Sequence, residues 1–135
     1  MKKILLLPIF IILLASCSGP APVKESTQAY TTDGKVEVYY FHFSRRCETC
    51  QAVESVSRES VQELYGEKVL FADVNLDDSA GVEKGKAMGV SGQSLLVVSG
   101  SNKIDITSTG FLYARENPEK LKETIREKAD SLLAL

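Results

Sequence analysis

Between Val36 and Leu64 the chain changes its hydrophobic period once, and two thiols sit at the change. Val36 to Phe43, VEVYYFHF, is a β-branched and aromatic run that reads as a buried strand. From Cys50 onward the apolar and small residues Val53, Val56, Ser57, Ser60, Val61 and Leu64 recur at helical spacing, with Glu54, Arg58, Glu59 and Glu63 off the stripe. Cys47 and Cys50 fall where strand gives way to helix, behind Arg45 and Arg46. Three chemistries fit two thiols at that spacing: a redox pair, part of a metal site, or a structural staple.

The N-terminus bears on which of these is open to the chain. Lys2 and Lys3 precede an apolar run from Ile4 to Ala15 that only Pro8 interrupts. The run is too short to span a bilayer comfortably and fits a secretory signal. It ends in Leu14-Ala15-Ser16-Cys17, which resembles the bacterial lipoprotein box, where a cysteine is lipidated and becomes the new N-terminus. That resemblance implies that residues 1–16 are removed, that Cys17 carries lipid, and that the protein works in the cell envelope, facing periplasm or exterior. Ser18 carries no acidic retention signal, which leans toward an outer membrane. With Cys17 set aside, the three cysteines reduce to the pair Cys47 and Cys50, in a setting that permits disulfides.

Ser18 to Lys35 is rich in Pro, Ser, Thr and Gly and reads as a tether, so residues 17–35 form a lipidated and linking segment. As far as Ala29 it spans roughly 20 Å if flexible, while Tyr30 and its neighbours could add an edge strand. Residues 36–135 are then one small domain. Without Lys2 and Lys3, 14 basic side chains face 18 acidic ones, a net charge near −4. That excess is too mild and too dispersed for a nucleic-acid partner. A monomer is expected, and no cofactor is called for.

Further elements follow from local pattern. Gly66 suits a helix stop. KVLFADVNL reads as a strand with Leu70, Ala72, Val74 and Leu76 on one face. Asp77 or Asp78 can cap a glycine-weakened helix over 79–88. SLLVVSGSNKIDIT reads as a hairpin turning at Ser99 to Asn102, and Asn117-Pro118 open a last helix with Leu121, Ile125, Ala129 and Leu132 on one face. Tyr39, Tyr40 and Phe71 are assigned to the core. The order βαβαββα describes an α/β fold, a central mixed sheet flanked by helices, with parallel strands first and an antiparallel hairpin at the edge.

With these elements in place, the chain resembles the thioredoxin superfamily from about Val36 to Leu133. The resemblance rests on Cys47-Glu48-Thr49-Cys50 between an aromatic strand and a helix, on VLFADVNLDD, and on MGVSGQSLLVV. It implies that Cys47 attacks a substrate disulfide and that Cys50 resolves the mixed disulfide, the two forming a disulfide when oxidised. The clients implied are disulfides of envelope proteins or apocytochromes, with electrons from a transmembrane reductant. Three departures stand out. Ser94, after Gln93, occupies the place of the usual cis-proline, and without proline the Gln93-Ser94 bond is expected to be trans. Phe41 stands where the family has a buried acid. The tryptophan and Gly-Pro around the usual dithiol are absent.

Several residues have both a chemical and a structural reading. Arg45 and Arg46 can lower the Cys47 pKa or bind a carboxylate-bearing substrate, with Glu48 opposing them; they can equally be solvated loop charges. Thr49 completes the spacer. His42 is packed or hydrogen-bonded, or a proton acceptor if it points toward the dithiol. Gln93 and Ser94 line the site if the resemblance holds there, and Thr109-Gly110 forms a second edge of the groove or a simple turn. Cys47 and Cys50 make a poor staple, because the loop they close is small. A closed metal site needs more ligands than two thiols and His42. The alternatives to redox chemistry are a metal-binding or delivery module for copper, zinc or a shared cluster, and a non-catalytic adaptor.

Overall fold

The computed structural model describes residues 34–135. The signal segment, Cys17 and nearly all of the tether lie outside the described residues. Eight elements follow in order: β1 (Val36–His42), α1 (Glu48–Tyr65), β2 (Val69–Asn75), α2 (Ser79–Met88), β3 (Ser94–Ser99), β4 (Asn102–Asp105), α3 (Thr107–Tyr113) and α4 (Pro118–Leu133). The four strands form one sheet in the order β2-β1-β3-β4. β1 runs parallel to β2, with Tyr40 beside Asp73, and antiparallel to β3, with Phe41 beside Ser94. β4 closes the edge as a hairpin on β3.

Every residue of β1 is buried, because this strand has neighbours on both sides and helices over both faces. Period-two alternation divides it. Val36, Val38 and Tyr40 enter a core with Val53 and Val61 of α1, Leu95 and Val97 of β3, and Leu121, Ile125, Ala129 and Leu132 of α4. Tyr39 and Phe41 enter a second core with Leu76, Leu96 and Val98, to which Ala72, Val74, Met88 and Val90 add partly buried surface. Burying one such aliphatic side chain stabilises the fold by about 1.5–3 kcal/mol. The stripe read on α4 is buried in full, and Asn117 caps that helix by accepting the Lys120 N–H on its side chain at 3.2 Å.

In three places the structure differs from the sequence pattern. Leu70 lies on the β2 face with Ala72 and Val74 but is 41% exposed. β2 is an edge strand, paired on one side only. The hairpin's second strand stops at Asp105 rather than Thr107. The segment around Thr109-Gly110 is not a turn: it lies within α3, which makes the order βαβαββαα. α3 has seven residues and a glycine at its middle, and its first amide, Thr107 N–H, is taken by Asp105 Oδ1 at 2.8 Å rather than by the N-cap Ile106, so the local signal for it is weak.

The glycines read as weakening α2 have a packing reason. A Cβ on Gly81 would lie 1.8 Å from the Asn75 carbonyl oxygen, and one on Gly85 would lie 2.9 Å from both Leu76 Cδ2 and the Val90 carbonyl oxygen. Both glycines are buried on the side of α2 that faces the end of β2. They let the helix backbone approach the loop that leaves β2, and that loop in turn anchors the segment before Cys47.

Candidate functional site

α1 starts one residue later than Cys47, which is its N-cap in an extended conformation (φ −80°, ψ 168°). The Cys47 sulfur accepts the Cys50 N–H at 3.3 Å. A sulfur here takes the place that a serine or aspartate oxygen usually has at a helix start. The two cysteines are joined as a disulfide, with Cα atoms 5.1 Å apart. Cys47 is exposed, whereas Cys50, one turn inward, is 3% exposed. The fold therefore makes the sulfurs unequal: one exposed at the start of a helix, the other shielded one turn inward.

The loop before Cys47 is held from the β2 side. Ser44 N–H donates to Asp77 Oδ2 at 2.7 Å, Asn75 Nδ2 donates to Ser44 Oγ at 3.0 Å, and Asp77 N–H donates to Asn75 Oδ1 at 3.1 Å. The Ser44 backbone and side chain hold the exposed Asp77 carboxyl below its ordinary range. Asp78, the N-cap of α2, makes no side-chain capping bond; Asp77 is instead occupied with the dithiol loop.

Arg45 and Arg46 are treated differently by the fold. Arg45 is exposed. Arg46 forms an ion pair with Glu54, two turns into α1. Glu54 also pairs with Arg58 at 2.6 Å, Arg58 with Asp73 at 3.0 Å, and Asp73 Oδ2 lies 3.6 Å from His42 Nε2. Arg58 additionally lies 4.9 Å from the centre of the Phe71 ring. A chain of alternating charges thus runs from the dithiol loop, down α1, to Asp73 on β2, beside His42 of β1. Partial burial pushes the Asp73 carboxyl up, but hydrogen bonding and charge from Arg58, with a smaller contribution from the nearby His42 ring, leave it below its ordinary range. Burial raises the Tyr40 phenol, and the charge of Arg46 offsets part of that rise.

His42 is 5% exposed and sits on the face of β1 that carries Tyr40, its ring 5.6 Å from the Tyr40 ring. Its Nδ1 donates to the Phe43 carbonyl at 3.0 Å, and Nε2 faces Asp73. These contacts tie it to the charge chain and include neither sulfur. Gln93 does reach the dithiol: its Oε1 lies 3.6 Å from Cys50 Sγ. Ser94 begins β3, partly buried, and its hydroxyl donates to the Gly92 carbonyl at 3.1 Å. No cis peptide bond occurs among the described residues, so the Gln93-Ser94 bond is trans, as the missing proline leads one to expect.

Gly110 is buried, and a Cβ there would lie 3.0 Å from Leu95 Cδ2 and 3.5 Å from Val53 Cγ1. Its position is a close helix contact beneath the site rather than an open groove edge. Just beyond α3, Arg115 reaches Glu48, the residue after Cys47, at 3.4 Å. Glu48 is 84% exposed on its side chain, and Thr49 is partly buried. Glu54, Asp73, Asn75, Asp77 and Arg115 are neighbours that sequence reasoning missed. Each is an ordinary surface-type residue far from the dithiol in sequence or two turns along a helix, and nothing local distinguishes it. Among the described residues, no three His, Cys, Asp or Glu side chains come together so as to hold a metal ion.

No family model and no curated protein matches the chain. Solved structures do. The chain is similar to oxidised thioredoxin O2 from Arabidopsis thaliana, with 20% identity over 70% of this chain and 76% of that one, at a TM-score of 0.53. It overlaps more loosely with a thioredoxin from Thermus thermophilus, at 22% identity over 70% and 74% of the two chains and a TM-score of 0.45. The mixed sheet flanked by helices and its overlap with thioredoxin O2 establish the fold as thioredoxin-like, with Cys47 and Cys50 at the start of its first helix.

Proposed function

We propose that this protein is an extracytoplasmic, membrane-anchored thiol:disulfide oxidoreductase that acts on disulfides of envelope proteins through Cys47 and Cys50. The observation that carries the redox part is the asymmetry of the pair: Cys47 exposed at a helix N-cap with its sulfur on the Cys50 N–H, Cys50 buried one turn inward. The envelope and lipid-anchor part rests on the N-terminal sequence, the apolar run followed by Leu14-Ala15-Ser16-Cys17.

The reaction balances without a cofactor. The Cys47 thiolate attacks one sulfur of a client disulfide, and the other client sulfur leaves as a thiolate and takes up a proton. Cys50 loses its proton, attacks Cys47 Sγ in the mixed disulfide and expels the second client sulfur, which takes a proton in turn. The protein ends as the Cys47-Cys50 disulfide and the client as two thiols. The cycle closes only if a dithiol donor returns two electrons and two protons to the pair. In an oxidising envelope, a transmembrane reductant is the partner this cycle requires.

Turbidimetric insulin reduction driven by dithiothreitol, together with trapping of mixed disulfides by Cys50→Ala, tests the redox reading. If the wild-type chain does not accelerate reduction and the variant captures no disulfide client, the pair is not redox-active, and the adaptor reading takes its place. Metal delivery requires ligands from outside the described residues or from a second chain; metal analysis of protein purified under reducing conditions tests that reading. Membrane fractionation that is lost in Cys17→Ala supports the anchor, and soluble behaviour of the unmutated protein contradicts it.

A further inference from the structure

We infer that Arg115 selects clients: with Leu112 it forms a docking edge beside Cys47 for a segment that carries a carboxylate next to its disulfide. This inference rests on the redox reading and adds a substrate class to it. Arg115 holds Glu48 at 3.4 Å, and Glu48 follows the attacking cysteine in the chain, so the guanidinium is drawn to the start of α1. Both side chains are exposed, at 52% and 84%. An exposed pair of this kind is only weakly held, so a client carboxylate can replace Glu48 on Arg115 at little cost.

The surrounding charges give this edge its sign. Arg46 is already neutralised by Glu54, and Glu54 is shared with Arg58. Asp77, the other carboxylate near the dithiol loop, follows β2, on the opposite side of β1 from β3. α3, which precedes Arg115, packs on the β3 side through Gly110 against Leu95. On that flank Arg115 adds a positive charge to the positive end of α1, and Glu48 is the carboxylate it pairs with. Leu112, 61% exposed, lies three residues before Arg115. The backbone past α3 stays right-handed at Ala114, so the two side chains share one side of the turn. Phe111, Tyr113 and Ala114 take the inward positions, which leaves Leu112 outside. One apolar and one cationic contact next to the nucleophile fit an acidic, partly apolar client segment.

Two matched peptides, each with one internal disulfide and differing only in Asp or Lys beside the attacked cysteine, decide the matter. Their rates of reduction by the fully reduced chain are compared at low and high salt. The wild-type protein is expected to prefer the Asp peptide by about 5-fold at low salt, with the preference shrinking at high salt. Arg115→Ala removes the preference, Arg115→Lys keeps most of it, Arg115→Glu reverses it and Glu48→Gln increases it. Leu112→Ser slows both peptides alike. Equal rates for the two peptides, or a preference that survives Arg115→Ala, overturn this inference and leave the redox reading intact. Failure to reduce either peptide overturns the redox reading and this one with it.

Discussion

Gly81→Ala separates two accounts of α2 by the sign of its effect. By helix propensity alone, alanine at an interior helical glycine stabilises by about 1 kcal/mol. In the structure, the new Cβ would lie 1.8 Å from the Asn75 carbonyl oxygen, and contacts below 3.0 Å essentially never occur, so helix and loop must part by more than an ångström. The atom met is backbone, which cannot rotate away as the end of a side chain could. Overpacking of this kind costs typically 1–3 kcal/mol. With the upper end of that range and the propensity gain subtracted, the net loss is about 2 kcal/mol, a fall in Tm of roughly 10 °C for a domain of this size. The displaced residue also matters: Asn75 holds Ser44, so the dithiol loop should loosen together with the core. Urea unfolding followed by circular dichroism measures the loss, and the rate of Cys47 alkylation in the reduced protein reports the loop. Gly92→Ala is the control, since its added Cβ meets nothing within 4 Å; it should change stability by less than about 0.5 kcal/mol. A Gly81→Ala protein as stable as the parent, or more so, would refute the close approach of α2 to the end of β2.

Two other outcomes follow from the site. Asp73 is held below the ordinary carboxylate range. Its contribution to stability is therefore present at neutral pH, above its unfolded pKa near ~3.9, and is lost as pH falls through the lower folded value. Asp73→Asn should lower the unfolding free energy from urea titration at pH ~7, by less than about 1 kcal/mol because the side chain is 44% exposed and screened, and the difference from wild type should shrink as pH is lowered through the acid range; a deficit that does not change with pH would contradict the assignment. Gln93→Leu removes the acceptor facing Cys50 Sγ. Losing one hydrogen bond from the reduced thiol, about 1 kcal/mol, should make the Cys47/Cys50 couple more reducing by roughly 20 mV in glutathione redox titration; an unchanged potential would show that the contact does not act on the reduced pair.

The parts of this molecule that could be read from sequence are those whose cause is local. The run from Val36 to His42, the stripes on α1 and α4, the Asn117 cap and the spacing of Cys47 and Cys50 each depend on residues within a few positions of one another, where period and capping chemistry speak directly. The resemblance built on those elements led to a thioredoxin-like fold, and the comparison with thioredoxin O2 supports it. α3 escaped because it is short, has an apolar residue at its N-cap and carries Gly110 at its middle; only the contact with Leu95 and Val53 explains that glycine. Leu70 alternates correctly along β2, yet it is exposed on a strand that only the sheet order shows to be an edge.

By itself, the sequence determined which segments become strands and helices, α3 excepted, and it placed the only two cysteines of the domain at the junction between one strand and one helix. Only the tertiary structure decided which charges surround them. Sequence proximity suggested that Arg46 acts on Cys47, but Glu54 takes it, whereas Arg115, 68 positions away from Cys47 in the chain, comes to Glu48. Gln93 meets Cys50 across a separation of 43 residues. The physical reason is range. Backbone propensity and hydrophobic period act over one or two turns, while ion pairs and hydrogen bonds act over a few ångströms of space, which the chain fixes only after the sheet has set β1 between β2 and β3.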